Sequence, residues 1–218
     1  MHTRSPLLPR GLLLLILVLP GLSANATPEA FPPDLFGYRQ SLQNDTTIFG
    51  QWIQVLERHI LLDVPEGDCS AKKLNRCHLR NWLAFLGTLK HLPRAEQLDA
   101  VNRYANQKPY VLDIDNYGVE DYWAVPKEFL YNNGDCEDYA ITKMFSLRWL
   151  GFAPEELRIV VLQDTNLRIP HAVLAVADHK DILILDNQIQ EVISHHKIVH
   201  YAPVYSINEN HWWIHYTN

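Results

Sequence analysis

Across its 218 residues the chain has three cysteines, no basic cluster, no Gly/Ser linker and no repeat, and its apolar run near the N-terminus has no long counterpart later. Each absence excludes something. A formal net charge of −6 without a concentrated Lys/Arg face argues against nucleic acid as a partner. The lack of a second apolar run of about 20 residues means that no later segment crosses a bilayer as a helix. With no linker or low-complexity tract, a remainder of roughly 190 residues reads as one domain with one substantial core. No second pair of zinc-type ligands follows Cys69, Cys77 and His78, so a structural zinc site is a poor reading of those residues.

What is present begins with an export signal. Arg4 and Arg10 precede an apolar run from Gly11 to Leu22, and Ala24-Asn25-Ala26 supplies small residues for cleavage. The expected division is a signal peptide over residues 1–26 and a mature domain over 27–218, exported and soluble; an uncleaved membrane anchor is the competing reading. In an oxidising compartment, Cys69 and Cys77 are close enough in sequence to form a local staple, which leaves Cys136 free.

Cys136 stands in Gly134-Asp135-Cys136-Glu137-Asp138-Tyr139-Ala140, at the start of a helix expected to run to about Leu150. Ala140, Ile141, Met144, Phe145 and Leu147 give it a broad apolar face, and Gly151 stops it. Unpaired N–H groups and the positive end of the helix dipole favour a thiolate there, the form that attacks carbonyl carbon. Asp135, Glu137 and Asp138 oppose this by raising the thiol pKa. Either the acids face away as caps and first-turn complements, or a calcium ion neutralises them; both readings stay open on the residues alone. A buried, inert cysteine is the bland alternative.

The first half is helical by periodicity. Ile48 to Ile60 and Leu79 to Leu89 have helical spacing, Arg94 to Asn106 forms a third helix, and Pro126 opens a short one that ends at Asn133-Gly134. Beyond Gly151 the runs Arg158 to Leu162, Ala172 to Ala177, Ile182 to Leu185, Ile189 to Ile193 and Val204 to Tyr216 are β-prone. Their connections are too short for helical crossovers, so the fold class is α+β, a helical N-terminal half packed on an antiparallel sheet.

His171 heads one of those strands, and the turn Asp178-His179-Lys180-Asp181 returns the chain to Asp186-Asn187. A turn centred near His179 sets Asp186 or Asn187 opposite His171, at the Cβ spacing of about 4.5–5.5 Å that lets a carboxylate bond an imidazole. Taken singly, each is an ordinary strand-end residue; jointly, Cys136, His171 and Asp186 make a candidate unit for acyl transfer.

The blocks Asp121 to Leu130, Gly134 to Ala140, His171 to Leu174, Leu185 to Asn187 and Tyr201 to Glu209, in that order, resemble the bacterial transglutaminase-like cysteine proteinases of the LapG type. The resemblance implies a papain-like, transglutaminase-like fold with Cys136 as nucleophile, His171 as base then acid, and Asp186 as orienting carboxylate. It implies calcium (Ca2+) on Asp135 and Glu137, with Asp138 as a further ligand, and leaves Trp123 either lining the cleft or buried in the core. It further implies a periplasmic endopeptidase that cuts large surface adhesins near their N-termini at a di-alanine site, releasing them and dispersing biofilm. The implied regulator is the periplasmic domain of an inner-membrane cyclic-di-GMP receptor of the LapD type, acting on a monomeric catalytic domain. Two rivals remain: an acyltransferase using the same thioester chemistry, and a catalytically silent calcium-dependent binding module.

Overall fold

The computed structural model describes residues 31–61, 63–71 and 74–217; the expected signal peptide lies outside them. Among the described residues six helices and eight strands follow one another, two of the strands standing at the N-terminal end where none was expected. Helix α1 spans Gly50–Leu61 and turns Trp52 and Val55 inward. Helix α2, Arg76–Leu89, is opened by Asn75, whose side chain accepts the Cys77 N–H at 2.9 Å, and His78 Nδ1 accepts the Asn75 N–H in return. A Cys69–Cys77 disulfide ties the preceding loop to its first turn. Helix α3, Arg94–Asn106, starts after Pro93 and ends where its apolar spacing ends. A single turn, α4 over Asp113–Asn116, interrupts the passage before α5, Pro126–Asn132.

Helix α6, Cys136–Trp149, is buried on every side between Glu137 and Leu147, so it is the central helix and not an amphipathic one. Gly151, at φ +99°, terminates it in the backbone conformation that glycine reaches without strain.

The strands are β1 Asp34–Leu35, β2 Tyr38–Gln43, β3 Leu157–Asp164, β4 Ile169–Asp178, β5 Asp181–Leu185, β6 Ile193–Ser194, β7 Tyr201–Ile207 and β8 Trp212–Tyr216. They form one sheet in the order β1-β2-β8-β7-β3-β4-β5-β6, and all its pairings are antiparallel. Alternation divides its central strands between two cores. Ile159, Leu174, Val176 and Leu185 face the helices, while Val160, Leu162, Val173, Ala175 and Ile184 fill the concave side with Phe31, Leu35 and Tyr201. The sheet curls far enough for its two ends to touch: the Phe36 N–H, just past β1, donates to His195 Nδ1, just past β6, at 3.0 Å. His195 is buried, so this bond is shielded from competing water.

One strand falls where no element was expected, and one expected strand is shortened. Residues 38–43 form a strand although Tyr38-Arg39-Gln40-Ser41-Leu42-Gln43 has little apolar alternation; pairing with β8, from Arg39↔Tyr216 to Gln43↔Trp212, holds it. The strand expected over Ile189 to Ile193 is reduced to Ile193–Ser194, because Asn102 on α3 donates to the carbonyls of Ile189 and Gln190 and holds that stretch off the sheet.

Candidate active site

Cys136 is the first residue of α6, half-buried, and free of any disulfide. The turn that delivers it is exceptionally tight. A Cβ at Gly134 would stand 2.8 Å from both Cβ and Cγ of Asp138 and closer still to its Oδ2, so only glycine fits. Asp138 is wholly buried and works on the backbone: its Oδ1 accepts the Ala124 N–H at 2.6 Å and its Oδ2 the Asp135 N–H at 3.3 Å. One carboxylate thus fixes the loop before α5 to the start of α6.

His171 lies near the start of β4, buried, and its Nε2 is 2.9 Å from Asp186 Oδ1. The same oxygen accepts the Gln188 N–H at 2.9 Å, the other accepts the Tyr201 hydroxyl at 2.6 Å, and Asn106 Nδ2 donates to the Asp186 carbonyl at 2.8 Å. Burial pushes the Asp186 pKa up, but the bonds from His171, Tyr201 and Gln188 outweigh it and hold the carboxyl below its usual range. With Nε2 committed to Asp186, Nδ1 is the ring nitrogen left for a thiol.

The route to that pair differs from the one expected. The hairpin closes at Asp178↔Asp181 over a two-residue loop with His179 at φ +56°, and the ladder ends at Leu174↔Leu185. Continued past its last pair, this register sets Gln188, not Asp186, across from His171. Asp186 reaches the imidazole because it has already left the strand, held there by Asn106 and Tyr201.

Cys136 and His171 open onto one cleft of about 360 Å³, lined also by Gln51, Asp121, Trp123, Asp135, Glu137 and Tyr205. Trp123 satisfies both readings offered for it: it lines this cleft, is itself buried, and donates Nε1–H to Asp121 Oδ1 at 3.1 Å. A larger groove of about 650 Å³ elsewhere, lined by Leu56, Trp82 and Phe145, does not include these groups.

Acids crowd the thiol, and they number more than the three next to it in sequence. Asp113, Asp121 and Glu137 bring oxygens within 4.8 Å of one another, and so do Asp113, Asp135 and Asp138. Burial, then Asp135, pushes Glu137 up to about 10, and burial, with Asp135 and Asp121, pushes Asp113 up to about 6. Burial and Glu137, whose Oε2 is 3.2 Å from Sγ, push the Cys136 thiol well above its usual value. Asp113 Oδ1 and Asp135 Oδ1 are buried without a hydrogen-bond partner among the described residues. Such oxygens suit a hard cation, which would satisfy them and reverse the local penalty on negative charge. Asp113 escaped the sequence reading because it sits in a turn-rich passage 22 residues before Asp135; Asp121 and Tyr201 lay inside the resembling blocks but had no role attached.

The sequence profile described as bacterial transglutaminase-like cysteine proteinase matches residues 67–217. Among solved structures, Legionella pneumophila LapG is 28% identical, with 79% of this chain and 90% of that chain covered and a TM-score of 0.59. Its calcium-bound form is 29% identical over 77% and 87% of the two chains, with a TM-score of 0.60. Its EGTA-treated form is 28% identical over 79% and 87%, with a TM-score of 0.59. No curated protein matches the chain.

Proposed function

The chain belongs to the bacterial transglutaminase-like cysteine proteinases, and from that premise we propose that it is a calcium-dependent periplasmic cysteine endopeptidase, with Cys136, His171 and Asp186 as its catalytic unit. The observation that carries this reading is the His171–Asp186 bond of 2.9 Å at the wall of the cleft that holds the free Cys136. His171 Nδ1 takes the proton from Sγ, and the thiolate attacks the scissile carbonyl carbon. N–H groups at the start of α6 receive the oxyanion. The imidazolium gives its proton to the leaving amine as the C–N bond breaks, leaving a thioester on Cys136. Water, deprotonated by the same ring, releases the acid product and restores the thiol. Asp186 holds the ring through Nε2 and stabilises it while charged.

The acids support the cation. Asp113, Asp121, Asp135 and Glu137 would hold calcium, with Asp138 either joining them or fixing the loop beneath, and the ion would offset the negative charge around Cys136. The calcium-bound and EGTA-treated forms of Legionella pneumophila LapG favour this ion for the present chain. The proposed substrate is a large surface adhesin cut near its N-terminus at a di-alanine site, with biofilm dispersal as the outcome. The proposed regulator is the periplasmic domain of a LapD-type cyclic-di-GMP receptor. Export by residues 1–26 and a single domain over 27–218 complete the proposal.

Purified protein incubated with an N-terminal adhesin fragment containing the di-alanine should yield two smaller products. Cys136→Ala should yield none while keeping its circular dichroism. A larger crosslinked product in place of the two fragments would replace the protease by the acyltransferase.

A further inference from the structure

The cleft that holds Cys136 and His171 does not end at Trp123 and Tyr205. A neighbouring cavity of about 380 Å³, walled by Ile48, Phe49 and Gln54, shares Gln51, Trp123 and Tyr205 with it. The two are therefore one groove, with those three residues at the junction. Their linings differ in kind. Glu120, Asp121, Asp135 and Glu137 make the catalytic part acidic, whereas no residue lining the extension is charged.

The extension is held in shape by contacts of the chain itself. Its turn, Thr46–Ile48, follows Asp45, whose side chain accepts the Thr47 N–H at 3.0 Å and whose carbonyl accepts the indole N–H of Trp212 on β8 at 2.9 Å. The Phe49 ring packs on those of Tyr205 and Trp212, with centroids 4.7 and 5.1 Å apart. At the junction Gln51 donates to the Asp121 carbonyl at 3.2 Å and to its Oδ2 at 2.9 Å, while Trp123 donates to Oδ1. Ile48 is the exception to this packing: it lines the cavity yet is 61% exposed, so apolar surface stands in water there until something covers it.

Continuity with the catalytic cleft decides what that is. An extended chain rises about 3.3 Å per residue, so a polypeptide with its scissile carbonyl at Cys136 carries its next few residues across the junction. Uncharged aromatic walls accept an apolar side chain and penalise a charged one, which would lose its water without gaining a partner. We propose that the extension is a specificity subsite: the substrate seats one large apolar side chain between Ile48, Phe49, Trp123 and Tyr205, at a fixed position on one side of the scissile bond and within about four residues of it. The proposal rests on the endopeptidase reading of the cleft and adds a second point of recognition beyond the residues that flank the cut.

The probes are short peptides with a central di-alanine, serine elsewhere, and a single leucine or aspartate moved along the chain, assayed in calcium chloride. At one position leucine should raise kcat/KM about ten- to hundredfold over serine, mostly through KM, and aspartate should not. Ile48→Ser, at an exposed site in a short turn, should reduce that preference about threefold or more. The preference is a ratio taken within one variant, so a general loss of activity cancels. Equal rates at every position, or a leucine preference that Ile48→Ser leaves intact, would overturn the subsite. Should the variant not fold, photo-leucine at the preferred position, bound to the Cys136→Ala chain, decides. Crosslinks to residues 48–54, Trp123 or Tyr205 sustain the subsite, and crosslinks confined elsewhere remove it. Cleavage without positional preference ends the subsite and leaves the protease. Tighter binding of one leucine peptide to Cys136→Ala, weakened by Ile48→Ser, in a protein that cuts none of the peptides, ends the protease and leaves the subsite. Neither cleavage nor binding of any peptide ends both.

Discussion

Tyr201 donates its hydroxyl to Asp186 Oδ2 at 2.6 Å, using the carboxylate oxygen that His171 leaves free. Both residues are buried, so the bond is made where water cannot substitute for it. Strand β7 thus supports the carboxylate from one side while the Gln188 N–H and Asn106 support its loop from the other.

Tyr201→Phe keeps the ring and deletes that donor. The stranded carboxylate oxygen should cost about 1–3 kcal/mol of stability, read by urea denaturation. Poorer placement of the His171 ring should lower kcat/KM about tenfold, the equivalent of about 1.4 kcal/mol. Unchanged kcat/KM would show that Asp186 is held well enough without Tyr201.

Gly134→Ala drives a Cβ into Asp138, whose two oxygens tie Ala124 and Asp135 together. A loss of about 1–3 kcal/mol is expected, since the neighbour it meets is itself buried and bonded. Alkylation of Cys136 should slow in parallel, because the same turn carries the thiol. A variant as stable as wild type in a urea titration would contradict the tightness of this turn.

Calcium should stabilise the protein and chelation should weaken it. At a free concentration one hundred times its dissociation constant, an ion bound to the folded state alone adds about 2.7 kcal/mol. Thermal midpoints with calcium chloride should therefore exceed those in EGTA, and Asp113→Asn should narrow the gap. Identical midpoints in both buffers would return the acids to helix capping and loop fixing.

His195 accepts the Phe36 N–H through Nδ1 where the ends of the curled sheet meet, so it must stay neutral to hold that bond. Burial and His196 lower its pKa, against the pull of Asp34 and Asp181. A histidine depressed in the fold takes up its proton more readily when unfolded, so stability should fall as pH drops below about 6.5. His59 and His215, both held down to about 4, chiefly by burial, add to the same slope. His195→Gln, which can accept the N–H without titrating, should show a shallower loss of thermal midpoint between pH 7 and pH 5. A slope equal to that of wild type would remove His195 from the account.

Local patterning made much of the fold legible. Helix α3 runs over Arg94–Asn106 as its spacing requires, α5 begins at Pro126, and α6 begins at Cys136 and stops before Gly151. Strand β2 was not legible, because its six residues acquire their conformation from pairing with β8, some 170 positions away in the chain. Ile189 looked like strand for the opposite reason: its apolar character was local, while the bonds that hold its segment come from Asn102.

The site divides along the same line. Sequence by itself determined the free cysteine on a helix start, a histidine and an aspartate on either side of one hairpin, and the three acids beside the thiol, since each depends on near neighbours, helix periodicity or turn chemistry. Tertiary structure alone decided that Asp186 meets His171 from beyond the end of its strand. It also decided that Tyr201 completes that pair, and that Asp113 and Asp121 join the acids. Those relationships depend on how a central helix packs against one face of a curled sheet, a distance in space that no spacing along the chain encodes.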